Sequence, residues 1–175
     1  SSRSAGQLLD HAMVNFRADQ LQTEALDLRK LTAETVERLS PTAELKDISI
    51  IMQDQGGDFD FDGDPIMLQN ALRNILDNAI KYSFFESDIT VALGRDAHNY
   101  IISFADQGRG FAGANLSDHL QRFKRGTNVK DIVGSGLGLT IVDEVARAHG
   151  GRVKINNNTD TKGGGACVSL YFPLV

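Results

Sequence analysis

Residues 64–82, DPIMLQNALRNILDNAIKY, hold the pattern that decides the fold. Leu68, Ala71, Leu72, Ile75, Leu76 and Ala79 recur at helical spacing, which predicts a helix from Pro65 to about Tyr82 with one apolar face. Asp64 is a capping residue, and Pro65 suits a first turn, where its missing N–H costs nothing. The opposite face carries Asn70, Asn74, Asn78 and Lys81 at spacings of four, four and three, so these side chains share one stripe. Asn is a mediocre helix former, about 0.5 kcal/mol worse than Ala per position. Three in one stripe admit two readings. One is a solvated face that tolerates Asn; the other is a set of amide oxygens for a hard cation beside an ammonium for phosphate. Mg²⁺ keeps several waters and takes few protein ligands, so such oxygens suit it.

Residues 4–24 read as a helix through Leu8, Leu9, Ala12, Phe16 and Leu21. A second helix fits about 30–39, with Leu31, Val36 and Leu39, and stops at Pro41. Asp47–Gln53 and Phe59–Phe61 read as strands around the turn at Gln55-Gly56-Gly57. Beyond the Asn helix, Ile89–Leu93 and Tyr100–Ala105 form a hairpin pattern. Leu137–His149 is a last helix, closed by Gly150 and Gly151. Gly151–Asn156 and Ala166–Phe172 finish the chain as strands around a glycine-rich turn. Helices interleaved with mostly hairpin-linked strands predict an α/β protein in two layers.

Two glycine-rich stretches carry further chemistry. Tyr100, Ile102 and Phe104 alternate with Ile101, Ser103 and Ala105, so Asp106 continues the parity of the bulky apolar face. A carboxylate there is costly unless something donates to it. Asp106-Gln107-Gly108-Arg109-Gly110 reads either as an Asx turn leaving a strand or as a site where Asp106 accepts from a buried ligand amine such as adenine's. In the second reading Gly108 and Gly110 let the backbone pass close to that ligand. Gly134-Ser135-Gly136-Leu137-Gly138-Leu139 opens the last helix and presents free N–H groups and a positive dipole end to an anion. A glycine-rich hinge is the alternative. A dinucleotide fingerprint fails on context, because that loop follows the first strand of a βαβ unit.

Composition narrows the partners. The 175 residues suffice for one core without staples. A net charge of −5 argues against a nonspecific nucleic-acid binder. One cysteine, Cys167, excludes an internal disulfide framework, suits a reducing compartment and reads as a small core residue. No run approaches the ~20 apolar residues of a membrane span, so direct membrane contact is not expected. A start without Met reads as a fragment boundary, compatible with a membrane segment upstream.

Asn-x-x-x-Asn on a helix, Asp-x-Gly-x-Gly after a strand and Gly-x-Gly-x-Gly before a helix occur in that order. From about Ile48 to Leu174 the chain resembles the GHKL ATPase superfamily, and within it the catalytic domain of bacterial sensor histidine kinases. Asn74–Tyr82 is similar to the N box and Asp106–Gly110 to the G1 box. Gly134–Leu139 is similar to the G2 box, and Leu120-Gln-Arg-Phe-Lys-Arg125 to the F-box region. The resemblance implies a two-layer α/β sandwich with a mixed sheet and a flexible ATP lid. It implies ATP and Mg²⁺ as cofactors, with Asn78 holding the metal and Asn74 beside it. Lys81 would approach the phosphates, Tyr82 the sugar or phosphates, and Asp106 adenine, on a wall shaped by Gly108 and Gly110. Gly134, Ser135, Gly136, Leu137 and Gly138 would pass the phosphates. Arg122 and Arg125, on the lid, would steady transferring charge.

Relatives that hydrolyse ATP carry a water-activating Glu where this chain has Asn74, and an amide cannot take that proton. The resemblance therefore implies transfer of the γ-phosphate to a histidine rather than rapid hydrolysis. None of His11, His98, His119 and His149 stands in a phosphoacceptor context, so the acceptor is expected on a dimerisation domain absent from this chain. Residues 1–24 then read as the remnant of a second dimerisation helix and linker, and 25–175 as the catalytic domain. Expected partners are that dimerisation domain, within a homodimeric parent, and a response regulator. The expected location is the cytoplasmic side of a bacterial inner-membrane protein. Phe111-Ala-Gly-Ala after the first loop and Leu120 in the lid depart from common family residues. An ATP hydrolase and a pseudokinase that only binds nucleotide or partners are the competing readings.

Overall fold

The Asn-bearing helix forms over the predicted residues in a computed structural model that describes residues 21–108, 137–157 and 164–174. The first strand, β1 (Glu24–Asp27), leads into helix α1 (Leu28–Glu44). Strands β2 (Ser49–Asp54) and β3 (Asp60–Gly63) precede helix α2 (Pro65–Tyr82). Strands β4 (Asp88–Arg95) and β5 (Asn99–Ala105) form the predicted hairpin. Helix α3 (Leu137–Ala148) and strands β6 (Arg152–Asn157) and β7 (Ala166–Pro173) complete the described fold.

Five strands form one sheet in the order β2-β4-β5-β7-β6; β2 and β4 run parallel and the other pairs antiparallel. Pairing register aligns apolar side chains in rows. Val91, Phe104, Val168 and Ile155 lie in one row, and Leu93, Ile102 and Leu170 in the next, all buried. Helices α2 and α3 pack on each other and on the sheet, and α1 packs on α2. The opposite face carries smaller and polar groups: Ser103 and Ser169 share a hydroxyl contact of 2.9 Å, and Arg152 lies 4.4 Å from the Tyr171 ring centre. Strand alternation therefore puts one face against the helices and leaves the other wetter, as antiparallel sheets permit. The two-layer mixed α/β architecture is the predicted one.

Four local readings need correction. Residues 21–23 are not helical, and Glu24 begins a strand that pairs antiparallel with β3, Ala25 opposite Asp62. That partner lies far along the chain and leaves no trace in local periodicity. The rest of the 4–24 helix reading lies outside the described residues. Helix α1 starts earlier than predicted, capped by Asp27, and does not stop at Pro41 but runs through it to Glu44. Pro41 removes one intrahelical donor at an exposed position, while Ala43 beyond it is fully buried and anchors the final turn. The helix then closes with Asp47 in the left-handed region at φ 53° and the Ile48 N–H donating to the Ala43 carbonyl at 3.0 Å. The second short strand is displaced from Phe59–Phe61 to Asp60–Gly63. Cys167 is only half-buried rather than a core residue, because its register position falls on the wetter face.

Candidate functional site

Three segments distant in sequence converge at one end of the sheet. The first is the C-terminal turn of α2. Asp64 caps the other end of this helix, accepting from the Ile66 and Met67 N–H groups at 3.1 and 3.2 Å. Asn74 and Asn78 are half-buried, so the Asn stripe is not a fully solvated face. The Asn74 amide N–H donates to the Asn70 carbonyl at 2.7 Å, and Asn78 Nδ2 lies buried. Lys81 is exposed, its ammonium 5.3 Å from the centre of the half-buried Tyr82 ring.

The second segment leaves β5. Strand parity carries Asp106 inward, and the residue is 5% exposed. Burial pushes its pKa above the ordinary carboxylate value, while N–H donors from Ala166 and Gly108 pull it back. Asp106 Oδ1 accepts both bonds, at 2.9 Å from Ala166 and 3.0 Å from Gly108. An Asx turn is therefore present, and the residue is also tied to a distant strand. The third segment is the start of β7, where the Ala166 carbonyl accepts from the Asp106 N–H at 2.9 Å.

The three are in close backbone contact. Ser83, just past α2, bridges Gly108 in antiparallel fashion. A Cβ on Gly108 would sit 2.1 Å from the Tyr82 carbonyl oxygen, and one on Gly165 would sit 1.9 Å from the Asp106 carbonyl oxygen. Close approach thus requires glycine at both positions. The structure brings together Tyr82, Asp106 and Gly108 at the end of the helix that bears Asn74, Asn78 and Lys81. Helix α3 starts at Leu137 and continues through Gly138, as the second glycine loop predicts. Gly110, Arg122, Arg125, Gly134, Ser135 and Gly136 lie outside the described residues.

Sequence reasoning missed Gly165 and Ala166. The run Gly163-Gly164-Gly165-Ala166 was a usable signal, but a turn accounted for it without a site. It also missed Lys46, whose ammonium reaches the end of α2. A groove at the opposite end of β5, lined by Glu24, Asp27, Asp58, Asp60 and Asp62, is rich in carboxylates and unsuited to a phosphate ligand. Among the described residues, no three His, Cys, Asp or Glu side chains cluster as a metal site.

Residues 63–175 match the family described as histidine kinase-, DNA gyrase B-, and HSP90-like ATPase, and the chain belongs to that family. It is therefore an ATP-binding domain. It is 28% identical over 181 residues to the sensor histidine kinase YvrG of Bacillus subtilis, matching 98% of this chain and 30% of that protein. It is 32% identical over 157 residues to the sensor protein QseC of Salmonella typhi, matching 87% of this chain and 34% of that one. Among solved structures, a mycobacterial sensor histidine kinase, MprB, superposes with a TM-score of 0.73 at 26% identity, covering 87% of this chain and 97% of that one. The chain thus spans about a third of the length of these curated relatives.

Proposed function

We propose that this chain is the catalytic part of a two-component sensor kinase, binding MgATP and passing the γ-phosphate to a histidine on a dimerisation domain. One observation carries the reading: a buried carboxylate, Asp106, is fixed in orientation by two backbone donors beside the last turn of the Asn helix. A carboxylate so held is a ready acceptor for the exocyclic amine of adenine. Asn78 would supply an amide oxygen to Mg²⁺, with Asn74 next to it. Such a metal is held largely by phosphate and water, so one or two protein oxygens suffice.

Lys81 faces the phosphates and Tyr82 the sugar end. Gly108 and Gly110 shape the adenine wall, and Gly134, Ser135, Gly136, Leu137 and Gly138 bring N–H groups to the phosphates at the start of α3. Arg122 and Arg125 steady the transferring charge. The metal, when bound, neutralises charge on the phosphates; the chain's own groups orient and desolvate them. Asn74 cannot act as a base for water, which favours transfer over hydrolysis. The acceptor histidine, the homodimer it belongs to and the response regulator are partners beyond this chain. Of residues 1–24, those up to about 20 would be dimerisation-helix remnant and linker, since the Gln22 N–H already bonds Asp64 and Glu24 already pairs with β3. No described helix is long and apolar enough to cross a membrane. The parent would be a bacterial inner-membrane protein with this domain on the cytoplasmic side.

Asp106→Asn provides a selective test. The amide keeps an oxygen for the two backbone donors but turns the other atom into a donor, which opposes an amine ligand. ATP affinity should fall at least about tenfold, roughly 1.4 kcal/mol. Thermal stability should hold or rise, because burial disfavours the carboxylate's charge. Isothermal titration with ATP and Mg²⁺, paired with a melting curve, checks both parts. Asn78→Ala should weaken only the Mg²⁺-dependent component of binding. Unchanged MgATP affinity in both variants would overturn the site. Transfer itself is read by mixing this chain with a helical hairpin carrying the parental histidine and following label from γ-labelled ATP.

A further inference from the structure

Lys46 lies in the turn between α1 and β2, and its ammonium donates to three backbone carbonyls: Ile80 at 2.9 Å, Lys81 at 3.1 Å and Ser83 at 2.7 Å. These belong to the C-terminal turn of α2, where helix carbonyls lack intrahelical donors and the dipole favours a cation. An ammonium offers three donors, and three carbonyls take them. The same residue grips the following loop through its backbone. The Glu86 N–H donates to the Lys46 carbonyl at 3.0 Å, and the ammonium lies 5.2 Å from the centre of the Phe85 ring. One residue of the α1–β2 turn thus fixes the chain from Ile80 to Glu86.

That stretch forms one side of the site. Between the gripped carbonyls of Lys81 and Ser83 sits Tyr82, whose own carbonyl is what Gly108 approaches most closely, and Ser83 is the residue that bridges Gly108. We propose that Lys46 is a positioning residue for the nucleotide site. It draws the end of α2 into the shape that seats the Asp106–Gly108 loop, and so sets nucleotide affinity without touching the ligand. The inference rests on the nucleotide reading above.

A hydrophobic side chain at 46 would take the charged donor from three carbonyls at once, whereas arginine keeps charge and several donors on a differently shaped head. The test compares Lys46→Met and Lys46→Arg with Ile155→Ala, a core truncation on the far edge strand β6. ATP affinity and amide exchange are measured on the full chain at a temperature where each variant is folded. Lys46→Met should bind ATP about tenfold more weakly, a loss typical of hydrogen bonds to a charged group. It should also exchange faster at residues 82, 83 and 108. Lys46→Arg should recover much of both, and Ile155→Ala should leave both unchanged despite its lower stability.

If Lys46→Met does not fold, Lys46→Gln, which keeps two donors without the charge, takes its place with a smaller expected loss. Affinity and exchange matching wild type in a folded Lys46→Met or Lys46→Gln would overturn the proposal. So would an equal affinity loss in Ile155→Ala, which would make the effect one of global stability. A wild-type chain that binds no nucleotide overturns the nucleotide reading and the affinity part with it. The exchange comparison then still decides whether Lys46 shapes this loop.

Discussion

Gly165→Ala is expected to cost about 3 kcal/mol or more of folding stability and to abolish ATP binding in whatever remains folded. Two independent penalties meet there. The added Cβ would lie 1.9 Å from the Asp106 carbonyl oxygen and 3.1 Å from its Oδ1. The backbone also has φ 134°, a conformation that L side chains rarely adopt. Neither can relax locally. Moving Gly165 away pulls on Ala166, whose N–H and C=O both bond Asp106, so relief of the clash breaks the contacts that orient the carboxylate.

Gly164→Ala is the internal control. Its φ is 76°, but an added Cβ would meet nothing within 4 Å, so only the conformational cost remains, about 1 kcal/mol. Urea unfolding of both variants, with ATP titrations on the folded fractions, checks the result. A Gly165→Ala chain within about 1 kcal/mol of wild type would show that β7 can shift away from Asp106 freely.

The contrast between these neighbouring glycines shows what local pattern reveals and what it hides. The helix over Pro65–Tyr82 was legible because its apolar spacing, its Asp64 cap and its Pro65 start all favour one structure. Strand β5 and the inward placement of Asp106 were legible from alternation alone. What donates to that carboxylate was not, because Ala166 lies 60 residues further along the chain. Strand β1 was misread for the same reason: its partner β3 is remote, and four residues carry too little periodicity to announce a strand. Pro41 misled in another way. A local breaker was overruled by burial of Ala43 just beyond it, a tertiary gain that no propensity contains. Lys46 carries no local signal, since only the folded chain brings its ammonium to the end of α2.

Replacing His149 with Phe should cost about 2–3 kcal/mol near pH 7.5, and the cost should shrink as the solution is acidified. The imidazole is buried against Phe61 and Phe172, whose ring centres each lie 6.1 Å from its own. Nε2 accepts the Asp64 N–H at 2.9 Å, so Nδ1 carries the proton and donates to the Val145 carbonyl at 2.7 Å. That contact ties the end of α3 to the cap of α2. Phe preserves the ring packing and strands the Asp64 N–H in a buried place.

Protonation of Nε2 would set donor against donor, and burial lowers the His149 pKa below its ordinary 6.5, with the Val145 carbonyl and the Asp64 charge opposing weakly. The sign follows from the unfolded chain, which takes up the proton first. Wild-type stability from this group is fully present above pH 6.5. It falls as pH drops below that value, and levels off once the lowered folded-state pKa is passed. Asp106 and Asp143 have raised pKa values and act with the opposite sign, gaining stability on acidification, but they are common to both proteins. The difference between wild type and His149→Phe therefore isolates the histidine. Urea midpoints for the pair at pH 7.5, 6.5 and 5.5 should converge, by about 1.4 kcal/mol for each unit of pKa depression traversed. A gap that stays constant across this range would mean that the imidazole is not held neutral by the fold.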